Sequence, residues 1–284
     1  MANLKLIRQR IRAAKNIQQI TKAMKLVAAA RLKKATDRVL EARPYADKLR
    51  EFMISLSGAG ELPAHPLMEK RPVRNYALIL ITAERGLAGS YNTNLIRRAG
   101  EFLKETAGKG HIIGVGKKGH GFYGRRGVPV LHTVTVPAAG ARYSDALEIA
   151  TKARDLYVSG EVDAVYICYS KFYSAIRQTP QIVQLLPIEA PEGESGGSLD
   201  FDFEPDAESL MNTLLPRYFQ TLVWQALLES TASEHGARMS AMTSATDNAG
   251  KMIQDLTLKA NRERQASITT EILEVVGGAE ALKA

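Results

Sequence analysis

Over residues 3 to about 57 the apolar and small side chains fall at Ile7, Ile11, Ala14, Ile17, Met24, Ala28, Leu32, Ala35, Val39 and Ala42. Steps of three, four and seven place them on one narrow stripe of an α-helix, with a step skipped near Thr21. Much of the remaining surface is Lys, Arg and Gln; no Gly precedes Gly58, and the one Pro is Pro44. At 1.5 Å per residue this predicts a helix of roughly 80 Å. A single globular domain cannot bury such a rod, so the stripe calls for a long helical partner.

The stretch from Ser57 to Pro72 holds Gly58, Gly60, Pro63, Pro66 and Pro72 and reads as a connecting loop. Short blocks follow. Tyr76–Thr82 is a continuous apolar run, the pattern of a strand buried on both faces. A helix to about Thr106 comes after GLAGSYN (86–92), then a strand at His111–Val115. The Gly- and Lys/Arg-rich segment Gly116–Gly127 has room for a short helix. Val128–Val136 reads as a strand and Ser144–Val158 as a helix, with Ala146, Ile149, Ala150, Ala153 and Tyr157 on one face. Asp163–Ser170 and Thr179–Leu186 are further strands. Strands alternating with helices predict a mostly parallel α/β sheet.

Glu189 to Asp206 is acidic and rich in Gly and Pro, an expected linker, with Asp206 as N-cap of a second long helix. That helix runs to about Val276, roughly 105 Å. Leu228, Ala232, His235, Met239, Met242, Thr246, Ala249, Ile253, Leu256 and Ala260 form a heptad seam, rich in small and polar residues suited to close packing on another helix. The expected fold is therefore α/β plus long α, an antiparallel coiled coil of the terminal helices with an inserted α/β domain. Its expected segments are 1–57, 73–188, 189–206 and 207–284. Sliding the two seams to full overlap predicts that facing residue numbers add to about 260, with Ala28 near Ala232. This leaves Asn261–Val276 unpaired, although Ile268, Ile272, Val275 and Val276 share a face there, with Leu273 beside them.

Charge sharpens the picture. The net +8 is not evenly spread: residues 1–50 hold fourteen Lys/Arg against three acids, and the rest of the chain is slightly acidic. The first helix therefore seeks an acidic partner: nucleic acid, anionic lipid or acidic protein loops. Its narrow apolar face, poor in Leu, Phe and Trp, argues against a membrane surface. Aromatics are 6% with one Trp, which offers no stacking platform for bases. No apolar run is long enough to cross a bilayer. Lys5, Arg8, Arg10 and Arg12 stand where a signal peptide needs apolar residues. The single Cys168 cannot form an internal disulfide, which points to a reducing compartment, and it falls in an expected buried strand.

Chemistry-bearing motifs are few. Gly114-Val-Gly116-Lys-Lys-Gly119 follows a strand and fits a dinucleotide fingerprint, but residues 131–140 supply no acid for the ribose. Lys118 stands where a phosphate loop needs Ser or Thr. Glu84–Asn92 lies at the carboxyl end of the first strand, where ligands bind in doubly wound sheets; it reads as a tight turn with Ser90 as N-cap. His65, His111, His120, His132 and His235 show no ligand spacing. No nucleophile elbow is present. No catalytic, cofactor or metal site is expected. From the residues alone three classes stand: a non-catalytic subunit docking on acidic protein loops, a nucleotide-dependent α/β enzyme with helical arms, and a coiled-coil nucleic-acid scaffold.

IRQRIRAAKNIQQITKAMKLVAAARLKKA (7–35), ERGLAGSYN (84–92) and MSAMTSATDNAGKMIQDLTLKANRERQASITTEILEVVGGAEAL (239–282) together resemble the gamma-subunit family of F-type rotary ATP synthases, bacterial type. The order and spacing agree from end to end. The resemblance implies a coiled-coil axle and a Rossmann-like middle domain that binds no nucleotide, with no cofactor. It implies a central-stalk rotor shaft that couples ion flow through the membrane ring to ATP synthesis and hydrolysis on the alpha/beta ring and regulates ATPase activity and proton flow, with the chemistry on the beta subunits. Implied partners are the alpha and beta subunits, epsilon and the c subunits of the membrane ring, without nucleic acid or direct membrane insertion. By position, Lys22, Met24 and Lys25 meet an acidic loop of beta. Arg238, Arg264 and Gln265 meet the catch loops of the ring, with Thr269 and Glu271 in the same region. The Ile268–Val276 stripe becomes an apolar spindle in a socket. Without the chloroplast form's Cys pair or a transit peptide, the expected location is peripheral, on the cytoplasmic face of a bacterial plasma membrane.

Overall fold

The structure, a computed structural model, describes residues 2–58, 65–137, 139–189 and 207–281. Helix α1 (Ala2–Gly58) and a 3-10 turn (Pro66–Met68) precede β1 (Asn75–Ile81), α2 (Tyr91–Glu105), β2 (Lys109–Val115), α3 (Lys117–Gly124) and β3 (Val130–Val134). Then come α4 (Tyr143–Val158), β4 (Ala164–Phe172), β5 (Gln178–Leu186) and α5 (Ala207–Ala281). Every expected helix and strand is present, and Pro44 and Pro216 lie inside continuous helices. The expected linker, apart from Glu189, and the Asp206 N-cap fall outside the described residues. The chain forms two compact units, Ala28–Arg238 and Met1–Val27 with Met239–Ala284, and both long helices contribute to each.

In the Ala28–Arg238 unit the sheet order is β3-β2-β1-β4-β5. All pairs are parallel except β4 with β5. The apolar run of β1 is explained by its central place. Ala77, Ile79 and Ile81 face a core shared with Ile149 and Tyr157 of α4 and Phe219 and Val223 of α5. Leu78 and Leu80 face the opposite core with Leu95 of α2 and Tyr123 of α3. Each fully buried branched aliphatic side chain contributes about 2 kcal/mol. Asp145 in the first turn of α4 accepts from the Arg142 backbone N–H at 2.9 Å and starts that helix. Within this unit α1 lies antiparallel to α5. Ala42 and Ala46 share a groove with Thr221 and Gln225, so facing numbers add to about 267, as for Ala42 with Gln225.

In the other unit the helices are again antiparallel. Thr246 Oγ1 donates to Thr21 Oγ1 at 2.8 Å. Gly250 leaves a notch for Gln18; a Cβ there would stand 3.1 Å from Gln18 Nε2. Two expectations are corrected. The α1 seam skips no step: it passes through Ala14, Gln18, Thr21 and Lys25, and Ile17 is 54% exposed. The register is one heptad from the expected sum of 260. A seven-residue slide keeps every seam residue on the seam, so apolar spacing cannot distinguish the two registers; the threonine pair and the glycine notch do. One-sided burial on α5 consequently continues through Ala260, Glu263 and Ser267, past the Asn261 expected as the start of the unpaired stretch. From Ile268 to Ala279 every position is exposed.

Candidate functional site

The strand order reverses between β1 and β4. In open α/β sheets a ligand binds at the carboxyl ends of the strands at this switch point. Here β1 stops early: its last pair with β4 is Leu80 with Cys168, while β4 continues to Phe172. Side chains of α5 meet the backbone left over. The Ser170 N–H donates to Ser230 Oγ at 3.1 Å, and Ser233 Oγ donates to the Ser170 carbonyl at 3.0 Å. The Phe172 N–H donates to Glu229 Oε2 at 3.3 Å. Two serines thus supply the acceptor and donor that another strand residue would have supplied. From α2, the Tyr91 hydroxyl donates to the Ser230 carbonyl at 3.2 Å. Ser170, Glu229, Ser230 and Ser233 are all buried. The crevice is closed by the chain's own helix.

Burial sets the electrostatics. It raises the Glu229 carboxyl above its ordinary range, against the lowering effect of the Phe172 N–H and the Gln225 amide. It drives the Tyr91 phenol far above its usual range. One turn further on, Arg238 pairs with Glu234 at 2.7 Å, their side chains 12% and 22% exposed. Arg238 also donates to the Gly86 carbonyl at 3.3 Å. Burial, with Arg238 and Arg31 beside it, pushes His235 down to about 4. The imidazole is neutral at pH 7, so Nδ1 can accept from Arg238 Nη1, 3.4 Å away.

The Gly-rich loop is also occupied from within. Gly116 caps α3 at φ +77, and a Cβ there would lie 2.0 Å from the Thr82 carbonyl oxygen. The Gly119 N–H donates to Thr82 Oγ1 at 2.8 Å and the Lys118 N–H to the Ala83 carbonyl at 3.3 Å. These first-turn N–H groups are the ones a phosphate would use. Ser90 holds the N-cap position of α2, but its hydroxyl accepts from the Asn94 amide at 3.1 Å rather than from a backbone N–H. Cys168 is buried and its thiol pushed up to about 12 by desolvation. Among the described residues no three His, Cys, Asp or Glu side chains could hold a metal ion, and no helix is long and apolar enough to cross a membrane.

The residues singled out from sequence are dispersed. Lys22 is exposed, and Met24 and Lys25 are half-buried. Arg264, Gln265, Thr269 and Glu271 are exposed. In the antiparallel register Lys22 lies beside the Thr246 region, so Arg264 is about 27 Å further along α5. Ile268, Ile272, Val275 and Val276 are 48%, 56%, 72% and 56% exposed, an apolar stripe without cover among the described residues. Arg238 is mostly buried and bonded to Glu234 and the Gly86 carbonyl within its own unit. Sequence reasoning missed Glu229, Ser230, Ser233 and Tyr91. The α5 residues had one signal, the small polar run ESTASE (229–234), and Tyr91 lies in the GLAGSYN turn (86–92).

The family model for ATP synthase matches residues 3–282. The chain is 48% identical over 283 residues to the ATP synthase gamma chain of Desulfitobacterium hafniense, covering 100% of both. It is 46% identical over 283 residues to that of Moorella thermoacetica, again covering 100% of both. Among solved structures it is similar to a chain of the Tetrahymena thermophila mitochondrial ATP synthase central stalk and c-ring, with TM-score 0.61 and 26% identity, covering 80% of this chain and 99% of that one. A chain of the Euglena gracilis mitochondrial ATP synthase matches with TM-score 0.71 over 99% of this chain and 95% of that one; at 19% identity it shows the fold alone.

Proposed function

The chain belongs to the ATP synthase gamma-chain family, and from that premise we propose how it works. It is the central-stalk rotor shaft, coupling ion flow through the membrane ring to ATP synthesis and hydrolysis on the alpha/beta ring. The observation that carries this is the full-length identity of 48% to a gamma chain. The shaft has no catalytic site of its own. A crevice filled by Ser230 and Ser233, and a Gly-rich loop whose N–H groups are taken by Thr82 and Ala83, support that part.

The basic first helix meets acidic loops of the beta subunit through Lys22 and Lys25, with the uncharged Met24 between them to avoid a pair that would brake rotation. Arg238, Arg264 and Gln265 meet the ring's catch loops, with Thr269 and Glu271 in the same region; Arg238 also holds Glu234 and the Gly86 carbonyl. The Ile268–Val276 stripe turns in an apolar socket. Epsilon and the c subunits are the other partners. The location is peripheral, at the cytoplasmic face of a bacterial plasma membrane, and the shaft regulates ATPase activity and proton flow.

Co-expression with alpha and beta subunits tests the reading. An alpha/beta/gamma complex with ATPase activity is expected. Failure to co-purify, or stoichiometric ATP or NAD binding by the isolated chain at micromolar ligand, would overturn it.

A further inference from the structure

We propose that Glu229, Ser230 and Ser233 of α5, seated on Ser170 and Phe172 of β4, are the joint through which torque passes between the α/β sheet and the long C-terminal helix. The proposal rests on the rotor-shaft reading and adds to it the place where load is transferred.

Two kinds of contact hold α5 in its unit. From Met211 to Leu227 the helix packs through Met211, Leu215, Phe219, Val223 and Leu227 into an apolar core. Dispersion contacts of this kind are individually weak and non-directional. Their resistance to displacement comes from shape alone, with no directional bond among them. At 229–233 the contact changes character. Three hydrogen bonds join helix side chains to the β4 backbone at 3.1, 3.0 and 3.3 Å. A hydrogen bond weakens steeply once its angle is lost. The bonded groups are fixed by the sheet: β4 is paired along its length with β5 and from Ala164 to Cys168 with β1.

Ser230 and Ser233 are three residues apart, so they lie on one face of the helix and grip the donor and acceptor of a single residue, Ser170. Rotation of α5 would carry both hydroxyls away from the backbone groups they bond. Ser230 and Ser233 are 2% and 0% exposed, so no water replaces a broken bond cheaply. The Tyr91 hydroxyl on the Ser230 carbonyl ties the same turn of helix to α2. An α/β crevice that would hold a ligand in a binding protein here holds a lever.

The test uses the assembled alpha/beta/gamma complex with the alpha/beta ring fixed to a surface. A bead is attached at Lys109→Cys, an exposed position at the start of β2, in a Cys168→Ala background. Angular variance of the bead during catalytic pauses reports torsional stiffness. Ser230→Ala with Ser233→Ala should raise that variance about twofold by removing both directional bonds to Ser170. Leu227→Ala, which costs about 2–5 kcal/mol of stability in the apolar belt, should leave the variance unchanged. A merely structural role would order the variants by stability instead. Equal variance in the double variant and the parent, or a larger rise in Leu227→Ala, would overturn the joint. If the double variant does not fold, the Ser233→Ala single variant carries the same comparison. A parent bead that never turns would overturn the rotor-shaft reading itself, and the joint with it.

Discussion

The hydroxyl of Thr21 lies 2.8 Å from that of Thr246, joining the first and last helices across their seam. The pair fixes an antiparallel register that apolar spacing leaves open by whole heptads. Thr21→Cys with Thr246→Cys, in a Cys168→Ala background, should oxidise readily to a disulfide, because hydroxyls that close place the two Cβ atoms near disulfide spacing. Ala28→Cys with Ala232→Cys should not. Non-reducing electrophoresis separates the outcomes, and efficient linking of the second pair would return the register to the shorter sum.

Gly116 of the Gly-rich loop should be intolerant of substitution, whereas Gly86 in the turn after β1 should be tolerant. Gly116→Ala puts a methyl 2.0 Å from the Thr82 carbonyl oxygen at φ +77. A cost of about 3 kcal/mol or more is expected. Gly86→Ala meets nothing within 4 Å and should stay within about 0.5 kcal/mol of the parent. Denaturant midpoints measure both, and equally small losses would mean that Gly116 is not packed against Thr82.

Acid should weaken the fold through His235. Its pKa is pushed down to about 4 from 6.5. As pH falls from 6.5 towards 4 the unfolded chain takes a proton that the folded chain refuses. Stability is therefore fully present above that window and declines within it. Glu229 and Glu234, both raised from 4.5, act in the opposite sense at their own titrations. Comparison with His235→Gln isolates the imidazole: the variant should gain on the parent by about 3 kcal/mol at most across the window. Urea unfolding at a series of pH values reads the difference, and a difference independent of pH would show that His235 is charged in the fold.

The basic first helix should act through charge. Lys22→Glu with Lys25→Glu should weaken ATP-driven proton pumping by the assembled complex, more strongly at low ionic strength, where surface charges are least screened. Unchanged pumping would make these lysines a solvated face only.

The end of α5 should be unprotected in the isolated chain. Ile268, Ile272, Leu273, Val275 and Val276 are each about half or more exposed. Hydrogen exchange across 268–279 should be fast in the chain alone and slow within the alpha/beta ring. Equal protection in both would mean that the tip finds cover on its own chain.

Much was decided locally. The apolar run Tyr76–Thr82, the period of α4 and the apolar and small stripe of α1 each set an element, because burial of one face follows from spacing along the chain. The positive charge of residues 1–50 likewise belongs to the sequence alone. Ile17 marks where that logic stops. Spacing put it on the seam, yet the tertiary structure seats Gln18 and Thr21 there, because a polar pair and a glycine notch on the facing helix decide which of two nearly equivalent stripes is buried. The crevice at Ser170 was invisible for the same reason. Ser170 and Ser230 lie 60 residues apart in the chain, and a serine is an ordinary residue in a strand or a helix. Only where β1 ends short of β4, leaving a donor and an acceptor without a strand, does the spacing of Ser230 and Ser233 acquire a purpose. That shortfall is a property of the assembled sheet, since an unpaired backbone group costs free energy only once folding has taken it out of water.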